Sequence, residues 1–128
     1  MTIDSSALLA ILLGEAGAID LVDQILEADA ARIGTPTMVE TAIVLSNRRG
    51  KPSMNEVIEL VDELGITVVP FDASQMKIAA GAFERFGRGR HKAGLNFGDC
   101  LSYATAAAAR DSLLFVGHDF ARTDIQKA

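Results

Sequence analysis

Short β-branched or apolar runs alternate with helix-patterned stretches along this chain, in the order β-α-α-β-α-α-β-α-α-β. Few folds accept that order. Helical crossovers between successive strands make the strands parallel, and the helices must cover both faces of the sheet. The strand-like runs are MTI at 1–3, RIGTP at 32–36, ITVVPF at 66–71 and SLLFVG at 112–117. Helical spacing shows at residues 18, 21, 22, 25 and 26, with Asp20, Asp23, Gln24 and Glu27 outside. Ser5 or Ser6 is predicted to cap the first helix. Thr37-x-x-Glu40 and Ser53-x-x-Glu56 read as capping boxes, Asn96-x-x-Asp99 as a close relative, and Asp72 or Ser74 as a further cap. Gly50, Pro52 and Gly65 mark helix ends. GRGRHKAG at 87–94 reads as a loop, and the tail from His118 as a turn or short helix. Met38, Phe83, Phe86 and Tyr103 are expected in the core. The predicted architecture is one α/β domain over 1–128, a three-layer α/β/α sandwich on a parallel sheet.

A chain of 128 residues that is 49% hydrophobic can bury a full core. No apolar run approaches the roughly 18 residues of a membrane span, and no basic region precedes an apolar signal-type core. Cys100 is the only cysteine, which excludes an internal disulfide and a zinc site built from this chain's thiolates. A reducing cytoplasm is the expected location, and the apolar surplus suggests a surface patch that a partner covers. Net charge is −5, yet seven of the twelve basic residues fall in two clusters: Arg48, Arg49 and Lys51, then Arg85, Arg88, Arg90 and Lys92. Local potential governs phosphate binding, so an acidic chain can still hold phosphates there, though both clusters also read as solvated loops.

Four carboxylates from four separate segments stand where apolar runs meet helix starts: Asp4, Glu40, Asp99 and Asp119. Asp4 and Asp119 are expected directly after strands one and four, and Glu40 and Asp99 near helix starts. Ligands of open parallel sheets bind beyond the carboxyl ends of the strands, so all four can converge at one edge. Taken singly, each is explained as a helix cap or a dipole partner. Together they present a problem, because two carboxylates ~5 Å apart repel by roughly 3 kcal/mol at a dielectric of ~20. A hard divalent cation such as Mg²⁺ relieves it, taking oxygen ligands while keeping several waters. His91 and His118 stand alone, which argues against zinc. Carboxylate-held Mg²⁺ with basic flanks suits phosphodiester hydrolysis by an activated water, and no Ser/His/Asp or Cys/His grouping offers a protein nucleophile. Ser6 and Asn96 are candidates to orient the carboxylates, with helix capping as the ordinary alternative.

The segments IDSSAL at 3–8, TPTMVET at 35–41, LNFGDCLSYA at 95–104 and FVGHDFxxTDI at 115–125 resemble PIN-domain ribonucleases, and more narrowly the VapC toxins of toxin–antitoxin pairs. The resemblance spans nearly the whole chain. It implies strand order 3-2-1-4-5, with the last strand short or missing because the chain ends soon after TDI. It also implies Mg²⁺- or Mn²⁺-dependent RNA cleavage, a homodimer, and a VapB-type antitoxin in a hetero-oligomer. By position, Asp4, Glu40, Asp99 and Asp119 match the family's catalytic and metal-binding acids, with Asp4 and Asp99 as direct ligands. Arg85, Arg88, Arg90 and Lys92 become candidate RNA contacts. His118 departs from the asparagine the family often places before its fourth acid.

Two other readings compete. A PIN scaffold that binds RNA or a partner without cutting is disfavoured by the presence of all four acids. A phospho-receiver domain needs an acidic pair after strand one, where this chain has Asp4 followed by Ser5 and Ser6.

Overall fold

A computed structural model describes residues 1–128. Strands β1 (Thr2–Ile3), β2 (Arg32–Gly34), β3 (Thr67–Val69) and β4 (Leu113–Leu114) form one parallel sheet in the order β3-β2-β1-β4. Thr2 pairs with Arg32 on one side and Leu113 on the other. Beside β4, a single parallel bridge from Leu113 to Lys127 stands where a fifth strand would lie. The expected order and its shortened last strand are both present.

Six helices complete the chain: α1 (Ser5–Leu12), α2 (Ala18–Glu27), α3 (Thr35–Arg49), α4 (Met54–Glu63), α5 (Ala73–Phe86) and α6 (Phe97–Ala109). Successive strand residues face opposite sides of a sheet. Accordingly Leu114 joins Ile3, Leu8, Ile33, Leu45 and Val57 in a core under α1–α4, while Leu113 joins Leu95, Ala104 and Ala106 under α5 and α6. Two cores flanking one sheet make the three layers. No helix is long and apolar enough to cross a membrane.

Several predicted caps move. Asp4 caps α1 in place of Ser5 or Ser6. Helix α3 starts two residues before Thr37, with Gly34 as its cap and Pro36 in its first turn, a position proline favours. Glu40 therefore lies in the second turn with its carboxylate free of capping. Ser53 makes no side-chain cap, because its hydroxyl donates back to the Lys51 carbonyl at 3.0 Å. The Asn96–Asp99 box does form, with both bonds at 2.9 Å, and Asp72 accepts from the Gln75 N–H at 3.0 Å. Phe83 is 38% exposed, whereas Met38, Phe86 and Tyr103 are buried as expected.

Helices α3 and α6 run antiparallel in close contact. A Cβ on Gly34 would come within 2.7 Å of Thr105 Oγ1, the Thr37 and Ser102 hydroxyls meet at 3.3 Å, and Glu40 rests on Gly98. Thr41 donates to the Thr37 carbonyl at 2.8 Å, and Thr105 to Gln75 Oε1 at 2.9 Å. This buried polar seam sets how far Glu40 stands from the start of α6.

Candidate active site

Asp4 leaves β1 at its carboxyl end and turns the chain into α1. Its Oδ2 accepts from the Ser6 N–H at 3.0 Å and from the Ser6 hydroxyl at 2.5 Å. The Ser6 oxygen in turn accepts from the Val116 N–H at 3.0 Å, tying Asp4 to the segment after β4. Asp4 is only 3% exposed, and its Oδ1 has no partner. Glu40 is half-buried, and its Oε2 is likewise unpartnered. An unsatisfied buried polar group costs about 1–3 kcal/mol, and more when charged, so two of them in one place require a reason.

Electrostatics link the acids. Burial pushes the Glu40 carboxyl up to about 6, the charges of Asp4 and Asp99 add to the rise, and the nearby Ser5 hydroxyl opposes it. Burial also raises Asp99 to about 6; the Asn96 N–H bond opposes that, Asp4 and Asp119 add to it, and Arg88 opposes it. Asp4, Glu40 and Asp99 thus share one field, and Asp119 reaches it through Asp99. Asp119 is exposed and sits ahead of a 3₁₀ turn at Phe120–Arg122, five residues beyond β4. The expectation that it directly follows the strand is corrected: β4 ends at Leu114 because the chain bends away after Phe115.

No three His, Cys, Asp or Glu side chains close into a ligand shell around one point. The donor set is an open group of carboxylate oxygens, two of them buried and unpartnered. That fits a hard cation that keeps most of its water and takes few direct protein bonds. An acid at the opposite sheet edge behaves differently: Asp111 Oδ2 lies 2.9 Å from Arg32 Nε and 3.5 Å from the terminal amine, and accepts from Thr2 Oγ1 at 2.9 Å. There the protein supplies its own cations. At Asp4 and Glu40 it supplies none.

Among the four basic residues proposed for RNA, Arg88 is exposed and close enough to act on Asp99. Arg90 lies over the Phe83 ring at 5.5 Å, and the Lys92 carbonyl accepts from Arg122 at 2.9 Å. Arg85 is engaged elsewhere, pairing with Asp124 at 2.7 Å and lying 4.6 Å over the Phe86 ring. Tyr103 donates to the same Asp124 at 2.6 Å. Burial pushes the Tyr103 hydroxyl up to about 12, and the Tyr103 bond holds Asp124 below the usual carboxylate range. In the other basic cluster, Arg49 pairs with Glu56 of α4 at 2.9 Å and Arg48 with Glu15 of the α1–α2 connection at 3.6 Å, so both arginines have acidic partners away from the site. His118 is an exposed side chain beside Asp119.

Two residues at the site escaped the sequence reading. Ser5 faces Glu40, and Gly98 forms the floor under the Glu40 carboxylate, where a Cβ would collide with it. A glycine inside a first helical turn, disfavoured by roughly 1 kcal/mol, was the available signal for Gly98. Next to Glu40 and Gly98 runs an apolar surface in two adjoining clefts of about 540 and 610 Å³. Phe71, Phe97 and Leu101 line both, Met76 and Phe83 one side, Val39 and Ile43 the other. Phe97 is 79% exposed.

The sequence profile of the PIN domain family matches residues 1–126. The chain belongs to the PIN-domain family. Within it, the relatives are VapC ribonucleases. Ribonuclease VapC28 of Mycobacterium tuberculosis is 41% identical over 129 aligned residues, covering 100% of this chain and 97% of that protein. Ribonuclease VapC of Mycolicibacterium smegmatis is 41% identical over 125 residues, covering 98% and 97%. Among solved structures, Mycobacterium tuberculosis VapC20, described as a sarcin-ricin loop cleaving toxin, superposes with a TM-score of 0.79 at 15% identity, covering 99% of this chain and 97% of that one. A toxin–antitoxin complex from Klebsiella pneumoniae gives 0.71 at 14% identity, covering 96% and 92%. At those identities the superpositions establish the PIN fold, while the curated relatives place the chain among VapC ribonucleases.

Proposed function

We propose that this PIN domain is the toxin of a type II toxin–antitoxin pair and an Mg²⁺-dependent endoribonuclease, with Mn²⁺ able to substitute. The observation that carries this reading is the pair of buried, unpartnered oxygens, Asp4 Oδ1 and Glu40 Oε2, within the field of Asp99. Asp4 and Asp99 would hold the ion directly, with Glu40 and Asp119 completing its acidic surround. Bound there, the cation would ease loss of a proton from a water, giving the hydroxide that attacks phosphorus, and would screen the charge on the phosphate and its leaving oxygen. Ser6 and Asn96 keep Asp4 and Asp99 oriented by the bonds described. Glu40, half-buried beside Asp4 and Asp99, is placed to accept a proton from that water. Arg88, exposed beside the acids, meets the RNA backbone, with Arg90 and Lys92 further along the same loop.

The apolar surface over α3, α5 and α6 supports the homodimer expected of this family. A VapB-type antitoxin completes a hetero-oligomer, with the acidic pocket as the feature a basic side chain would fill.

The test uses the purified chain free of any partner, with RNA and Mg²⁺. Cleavage is expected to need the metal and to fall to background in Asp4→Asn and Asp99→Asn. Cutting that persists with EDTA, or in both variants, would remove the mechanism. Co-purification with the product of an adjacent small reading frame tests the partner.

A further inference from the structure

Asp119 is the outermost acid of the site, and no hydrogen bond of its own side chain holds it. It is exposed, it makes no cap, and the turn that follows it is short. Something else must fix it, and the structure shows a chain of contacts that does so. Arg122 N–H reaches back to the Asp119 carbonyl at 3.4 Å, and Thr123 N–H to that of Phe120 at 3.0 Å. Thr123 Oγ1 donates to the Phe120 carbonyl at 2.7 Å and accepts from the Ile125 N–H at 3.2 Å. Phe120 is buried and lies 5.1 Å from the Phe115 ring. Local bonds thus knit the segment from Asp119 to Ile125 into one piece.

That piece is fastened at Asp124. Its Oδ1 accepts from Tyr103 and its Oδ2 from Arg85, so two helices hold one carboxylate. Tyr103 stands four residues after Asp99 on α6, on the same helical face one turn along. Arg85 stands in the last turn of α5, just ahead of the loop that carries Arg88. A second tie, Arg122 to the Lys92 carbonyl at 2.9 Å, joins the same segment to that loop. Asp124 and Arg85 are both about half exposed, and exposed ion pairs contribute little to stability. Their geometry has more to offer the site than the fold.

We propose that Asp124, gripped by Tyr103 and Arg85, is a positioning residue that holds Asp119 opposite Asp99 and thereby sets the site's affinity for a divalent cation. This rests on the metal-dependent reading above. It assigns work to three residues outside the acidic cluster, and it makes the Asp124–Tyr103 contact the register between the tail and α6.

The experiment is calorimetric titration of Mn²⁺ into the RNA-free protein, with thermal unfolding measured alongside. Tyr103→Phe removes one hydroxyl and keeps the ring in its core. Asp124→Asn keeps an acceptor for Tyr103 but loses the charge facing Arg85. Each is expected to weaken Mn²⁺ binding by about tenfold, the scale seen when groups that orient metal ligands are removed. Combined with Asp119→Asn, Tyr103→Phe should weaken binding no further than Asp119→Asn alone, since both act through Asp119. A merely structural role would lower affinity equally in both backgrounds, and that result would overturn the proposal. So would unchanged affinity in Tyr103→Phe and Asp124→Asn when the parent protein binds the ion. A parent protein that binds no Mn²⁺ would instead bring down the metal-dependent reading, and this proposal with it.

Discussion

Gly98 lies so close beneath the Glu40 carboxylate that a β-carbon there would occupy the carboxyl group's own space. The backbone of α6 thus forms the floor of the acidic pocket, and the width of that pocket depends on a missing methyl group.

Replacing Gly98 with alanine should push Glu40 outward while α6 keeps its shape, because alanine favours a helix by roughly 1 kcal/mol. A displacement of about 1 Å at such a site can cost about 100-fold in rate. The expected outcome for Gly98→Ala is a cleavage rate lowered about ten- to 100-fold with no loss of melting temperature. Wild-type cleavage would show that Glu40 has room to spare.

The raised carboxyls make a pH prediction whose sign is opposite to ordinary acid denaturation. Glu40 and Asp99 hold protons up to about 6 in the folded chain, whereas unfolded acids release them near 4. Between about 4 and 6 the folded state binds more protons, so stability of the ion-free protein falls as pH rises through that window. Saturating Mg²⁺ should remove the decline, since it takes the place of the protons. Thermal unfolding across that pH range, with and without the ion, reads both effects, and Glu40→Gln should show a shallower slope. A flat profile without metal would mean that burial does not raise these carboxyls.

Ser6 joins the first and last strands' trailing segments through a single oxygen, accepting from Val116 and donating to Asp4. Ser6→Ala is expected to weaken Mg²⁺ binding by about tenfold and to cost about 1 kcal/mol of stability. Metal dependence of cleavage and chemical denaturation measure the two separately. Unaltered metal dependence would reduce Ser6 to a helix-start residue.

Met76, 57% exposed at the edge of the apolar clefts, tests self-association away from the acids. Met76→Glu should convert a dimer to a monomer by light scattering, since a desolvated, unpaired charge in an apolar interface costs several kcal/mol. A parent protein that is already monomeric would remove the dimer.

The sequence disclosed most about what is periodic or local. Alternating runs predicted the element order and parallel sheet, and the Asn96–Asp99 spacing predicted a capping box that forms. What escaped it depended on where helices begin. Thr37-x-x-Glu40 has the letters of a capping box, but Pro36 lets α3 start earlier, which frees the Glu40 carboxylate for the site. Ser53 failed for a related reason, as its hydroxyl is taken by a local carbonyl. Charge clusters were the least informative feature. Arg48, Arg49 and Arg85 have acidic partners from other segments, and only the fold brings those partners near. Phe83 has core-like spacing on a helix whose outer face is itself apolar, so periodicity could not separate its two sides.

The hydroxyl pair between α3 and α6 has a consequence for how this pocket can change. Thr37 is three residues from Glu40, and Ser102 three residues from Asp99, so the meeting of two buried hydroxyls indexes one carboxylate against the other. Sliding either helix by a fraction of a turn would strand both hydroxyls without partners. Substitutions beneath or around the carboxylates can therefore move one side chain at a time, but the two helix backbones can shift past each other only in discrete, helix-turn steps.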